Sequence, residues 1–177
     1  MKTLSRLAMA FAALAALVLT VPRPNASLVL AASAPAVSLN TANAGPRALE
    51  DTTEKAVARD YATAWQAMAE ALDQNRADLL SGNFIGAAKD KLTATIEEQQ
   101  KSGLHQRILD QGHQVDLVFY SPEGSAIEVH DRARLQLQLL DGSKVIHSED
   151  ATVHYVALLT AAENAWKVRV LQAVPSF

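Results

Sequence analysis

The chain has 177 residues, 49% of them apolar, which is enough for one ordinary domain with a core plus an N-terminal leader. Its formal charge of −3 hides an asymmetry: no Asp or Glu precedes Glu50, so residues 47–177 hold 13 Lys/Arg against 19 Asp/Glu. So acidic a domain disfavours a nucleic-acid partner, and the absence of cysteine excludes disulfides, thiolate nucleophiles, Cys-ligated zinc and a lipidated-cysteine anchor.

Lys2 and Arg6 lead into the apolar run Leu7 to Val21. A positive n-region before an apolar stretch of this length reads as a secretory signal, and the stretch is short for a membrane span. Residues 1–34 are therefore expected to be a signal peptide. Pro22, Arg23 and Pro24 stretch the region beyond the usual pattern, which keeps an uncleaved N-terminal membrane anchor as the alternative. Either way the folded part is expected outside the cytoplasm, periplasmic or secreted. Residues 35–46, rich in small and polar side chains without periodicity, read as a flexible linker, and residues 47–177 as the domain.

A first helix is expected from Asp51, where Asp51 and Glu54 have capping-box spacing. Val57, Tyr61, Trp65, Met68 and Leu72 recur at three- and four-residue spacing on one helical face. After the break at Ser81-Gly82-Asn83, a second helix carries Phe84, Ala88, Leu92, Ile96 and Gln99 along one stripe and ends at Gly103 in a left-handed cap. Leu104 to Gln111 reads as a short third helix closed by Gly112.

Beyond Gly112 the period becomes two. Val115, Leu117 and Phe119 alternate in a first strand, and Ser121-Pro122-Glu123-Gly124 is a turn. Ala126 to Leu140 is a long strand whose odd positions are apolar except for Asp131, and whose even positions from Glu128 to Gln138 are all polar. Asp141-Gly142 signals a hairpin, a third strand runs from about Val145 to Leu159, and Trp166 to Val170 forms a fourth. A two-residue Asp141-Gly142 loop would set Leu139 opposite Lys144 and turn Ser148, Asp150 and Thr152 inward, while the apolar row is Ala151, Val153, Tyr155, Ala157 and Leu159. A one-residue slip is required, and a β-bulge within His147 to Asp150 is predicted. The fold class is α+β: three N-terminal helices on one face of a curved four-stranded antiparallel meander.

The order of elements, with Tyr61-Ala62-Thr63-Ala64-Trp65 and Ala71-Leu72-Asp73 in the first helix and the closing Trp166-Lys167-Val168-Arg169, resembles the NTF2-like superfamily, the cystatin-like α+β cone. The likeness covers residues 50–175 and is closer to the VirB8-type and ARC-type non-enzymatic domains than to the SnoaL-like enzymes. The resemblance implies a cone whose inner wall carries acids and bases in pocketed relatives. It does not imply one function, since the superfamily hosts enzymes, transport factors and scaffolds.

Asp131 on that wall is the first candidate for a ligand pocket, with Tyr155 on the same face and Tyr61 and Trp65 approaching from the first helix. Burial would raise its pKa and suit it to general-base work. The bland alternatives are a local bulge, a pairing with Arg132 or Arg169, or a position at the open mouth of the cone. The five histidines form no motif; His130 and His154 come near one another on the outer face, without an evident third metal ligand. Arg134 and Asp150 are expected to pair there. No catalytic residue is assigned, no cofactor and no metal is implied, and no nucleotide, hydrolase or zinc-protease motif occurs. The reading is an extracytoplasmic binding or assembly module, with a protein partner or self-association through the outer sheet face and membrane contact only through an uncleaved N-terminal segment. The alternative is a small-molecule pocket protein, or an isomerase- or hydratase-like enzyme, using Asp131.

Overall fold

The computed structural model describes residues 35–177, so the expected signal peptide or anchor at 1–34 lies outside the described residues. The elements are β1 (Val37–Asn40), α1 (Asp51–Gln74), a 3-10 turn (Ala77–Leu80), α2 (Gly86–Ser102), β2 (Leu104–Tyr120), β3 (Ala126–Asp141), β4 (Lys144–Ala162) and β5 (Ala165–Val174). One sheet of five strands runs in the order β1-β2-β3-β4-β5, with β1 parallel to β2 and the rest antiparallel. No helix among the described residues is long and apolar enough to cross a membrane.

α1 buries Val57, Tyr61, Trp65, Met68 and Leu72, the stripe its spacing requires, against Val115, Leu117, Ile127, Val129 and Leu159 of the sheet. Its start differs from the expected capping box. Glu50 is the N-cap and accepts through its side chain from Thr53 and Arg47, while Asp51 and Glu54 lie in the first turn, where carboxylates complement the helix dipole. Buried Asp60 docks the helix to β5, accepting the Trp166 backbone N–H at 2.8 Å. α2 buries Ala88, Ile96 and Gln99 and ends at Gly103 with φ +73°, the expected left-handed cap. The Gln99 amide ties the helices to the sheet: it donates to the Leu72 carbonyl and accepts the Gln106 N–H.

Four expectations need correction. The third helix does not form: Leu104–Asp110 is the first part of β2 and pairs with Leu135–Asp141. Helical spacing of Leu104 and Ile108 was a local signal, overridden because the far half of the β3–β4 hairpin takes these residues as its ladder partner. The sheet has five strands rather than four and is mixed. Val37–Asn40, within the stretch read as a flexible linker, pairs in parallel with His113–Asp116. The hairpin loop is Gly142-Ser143, not Asp141-Gly142, because the left-handed φ of +56° falls at Gly142 as the first loop residue. The predicted slip occurs, but at Ile146 rather than within His147 to Asp150: Leu140 pairs with Val145 and Leu139 with His147. That slip turns Ala151, Val153, Tyr155, Ala157 and Leu159 toward the inner row. A further bulge, at Arg169, turns Leu171 rather than Val170 onto the core.

Candidate functional site

The site is centred on Asp131, whose side chain has no solvent exposure. In the middle of β3 it lies between Val115 of β2 and Tyr155 of β4. Its Oδ2 accepts two hydrogen bonds, from the Tyr61 hydroxyl at 2.8 Å and from Nδ1 of His113 at 2.7 Å. The His113 ring is fully buried, and its Nε2 lies 2.7 Å from Oδ2 of Asp110. One imidazole thus bridges two carboxylates. Asp131 Oδ1 is buried without a hydrogen-bond partner.

A β-bulge makes this bridge. Asp110 and His113 are three residues apart, a spacing that in a regular strand puts them on opposite faces. Between Asp110, opposite Leu135, and His113, opposite Ala133, β2 carries one extra residue. The slip turns both side chains inward, onto the face shared by Leu135 and Ala133. Gly112 occupies the bulge with φ +118°, a region side chains rarely enter, and its N–H donates to Asp110 Oδ1 at 2.7 Å. β1 closes the arrangement from outside, Ala36 accepting the His113 N–H at 2.9 Å.

Electrostatics follow from this geometry. Burial alone would lower the His113 pKa, but its hydrogen bonds to Asp110 and Asp131 and their negative charges more than offset it and raise the value to about 9. At neutral pH the imidazole is an imidazolium donating from both nitrogens, so it has no lone pair for a metal. Burial and the Asp131 charge push the Tyr61 phenol well above its ordinary range, which keeps it a donor, and the same causes raise Tyr155. Trp65 lies over the cluster, its ring centroid 4.4 Å from that of His113 and 5.2 Å from that of Tyr155, at cation–π distance from the imidazolium.

All four residues named from sequence therefore meet: Asp131, Tyr61 and Trp65 buried, Tyr155 half-buried. Asp131 pairs with neither Arg132 nor Arg169. Sequence reasoning missed the link of His113 and Asp110 to Asp131: Asp110 fell inside the helix read over 104–111, and His113, just beyond Gly112, was read only as flanking that helix. The signal present was an aspartate, a glycine and a histidine in Asp110-Gln111-Gly112-His113, where a glycine inside a strand marks a bulge. On the outer face, Arg134 does not pair with Asp150. It donates to the Gln111 carbonyl, and Asp150 accepts from Gln111 and Gln136. The Phe177 ring stacks on His130 at 4.5 Å and lies 4.8 Å from His154.

No protein-family model and no curated protein sequence matches the chain. Among solved structures, the intermembrane-space region of the chloroplast protein ARC6 is similar with a TM-score of 0.62 and 16% identity, over 74% of this chain and all of that one. Aln2 from a Streptomyces species has a TM-score of 0.48 and 11% identity, over 72% and 93% of the two chains. A candidate dehydratase of the NTF2-like family from Streptomyces avermitilis has a TM-score of 0.48 and 11% identity, over 70% and 99%. At these identities the likeness concerns architecture alone, and the chain has the NTF2-like fold that its order of elements resembles.

Proposed function

We propose that this domain is an extracytoplasmic binding or assembly module in which the Asp110–His113–Asp131–Tyr61 network organises the interior and performs no chemistry. The observation that supports this reading is the absence of solvent exposure at Asp131 and His113, with Trp65 packed over both the imidazole and Tyr155. A substrate would have to displace a buried indole to meet the acid. The described location of the similar ARC6 domain, an intermembrane space, and the charged apolar leader favour a place outside the cytoplasm.

One observation favours a second reading, an acid–base pocket for a small molecule. Asp131 Oδ1 is an unpaired buried acceptor, and an imidazolium beside it can give up a proton. Movement of Trp65 would open that site. Trp65 and Trp166 are the two tryptophans of the chain, so the Trp166→Phe variant makes Trp65 a single reporter. A closed interior gives blue-shifted emission that acrylamide barely quenches. Quenching near that of free tryptophan would overturn the module reading in favour of the pocket.

A further inference from the structure

β5 is the last strand of the sheet, and its outer edge is used only at one end. There Asn83–Ile85 runs alongside it in parallel: the Val168 N–H donates to the Asn83 carbonyl at 2.9 Å, and Ile85 N–H to the Val168 carbonyl at 3.0 Å. At Gly86, with φ +53°, the chain leaves this pairing and turns into α2. Beyond Val168, nothing among the described residues pairs with that edge. Between α2 and the following part of the strand lies a groove of about 320 Å³ lined by Ala87, Ala88, Lys91 and residues 170–173. Its floor is a helix face of two alanines and Lys91, and its wall is an unpaired strand edge.

We propose that this groove binds an extended peptide segment carrying a carboxylate, which adds a strand to β5 where Asn83–Ile85 stops; this rests on the reading of the domain as a binding module. Every second residue of an edge strand directs its N–H and C=O outward, so residues 170–174 offer backbone partners to an incoming strand. Ala87, small and exposed, leaves room for that strand's inward side chains. Charge selects the occupant. The domain as a whole is acidic, yet the charged side chain in the groove lining is Lys91, and Arg169 lies across Gly86 at the groove's end, 3.5 Å from where a Gly86 Cβ would sit. Among the described residues neither Lys91 nor Arg169 is in an ion pair. A carboxylate on the segment, from an acidic side chain or a free C-terminus, complements them.

The test uses a fluorescein-labelled peptide of alternating valine and threonine ending in aspartate, made as free acid and as amide, with a lysine-ended control, titrated against residues 35–177 or the longer chain. Fluorescence anisotropy is expected to give a Kd on the order of 100 µM. Hydrogen exchange is expected to show new protection confined to the amides of 170–174. Weaker binding of the amide assigns the recognised group to the terminal carboxylate, and equal binding assigns it to the side chain. Ala87→Trp fills the groove from an exposed helix position and should abolish binding, and Lys91→Glu with Arg169→Glu should weaken it about tenfold or more. Circular dichroism confirms that each variant is folded. No binding, binding that survives Ala87→Trp, equal binding of the lysine-ended control, or protection on another open edge, at Val37–Asn40 or Lys144–Ala151, overturns the groove assignment. The Trp65 quenching experiment judges the module reading separately.

Discussion

The buried histidine makes a quantitative demand on stability as a function of pH. His113 is raised from 6.5 to about 9 in the folded chain by Asp110 and Asp131, so the folded state holds a proton that the unfolded state releases earlier. A shift of this size corresponds to roughly 3 kcal/mol, at about 1.4 kcal/mol per pH unit. Because the folded pKa is the higher one, this contribution is complete below about pH 6.5 and is lost as pH rises through about 9. The phenols facing the cluster, Tyr61 and Tyr155, are raised above their ordinary value near 10 and do not titrate in this window. Urea unfolding followed by circular dichroism at half-unit steps from pH 6 to 9.5 should show the unfolding free energy falling by about 3 kcal/mol across that range. The His113→Gln variant should be less stable at pH 6.5 and should lack the slope. Carbon-detected NMR of the imidazole should give the same midpoint. A flat profile for the parent chain, an NMR midpoint near 6.5, or an undiminished slope in His113→Gln would refute the charged bridge.

Further consequences concern the parts that build this bridge. Asp131→Leu strands the Tyr61 hydroxyl and the His113 Nδ1–H in an apolar interior, and should cost about 3–5 kcal/mol in chemical denaturation; a gain in stability would mean that the carboxylate is a passive defect. Gly112→Ala puts a side chain at φ +118° and should cost about 1–3 kcal/mol while lowering the His113 pKa, read from the same NMR titration; an unchanged midpoint would show that the bulge does not set the bridge. Asp60→Ala leaves the buried Trp166 N–H unpaired, with an expected loss of about 1–3 kcal/mol in melting experiments. Restoration by Asp60→Asn, which keeps an acceptor, would separate that hydrogen bond from the helix packing.

Much of the architecture was legible in local pattern. The stripe Val57–Tyr61–Trp65–Met68–Leu72 and the alternation through β3 are direct readings of periods near 3.6 and 2; the stripe is buried throughout and the alternation from Ile127 to Leu135, beyond which Leu137 and Leu139 are half-buried and Leu140 is buried instead. The register slip in β4 was legible as well, because a straight hairpin would have buried Asp150 and exposed Tyr155. Its position at Ile146 was not, since that depended on which residue carried the turn's left-handed φ. β1 and the first half of β2 had no such legibility. Four residues make too short a pattern to read, and Leu104–Asp110 satisfies a helical spacing until the partner strand competes for it.

The sequence by itself determined that Asp131 stands on the inner row with Tyr155, and that Tyr61 and Trp65 face it, because each is a matter of phase within one element. Only the tertiary structure decided what Asp131 does. Its main partner, His113, stands on the inner row in phase with Val115, and Asp110 joins it only because a bulge at Gly112 reverses the strand's phase. A bulge has no periodic signature of its own. It exists because β2 must satisfy β1 on one side and β3 on the other, a condition set by neighbours distant in the chain.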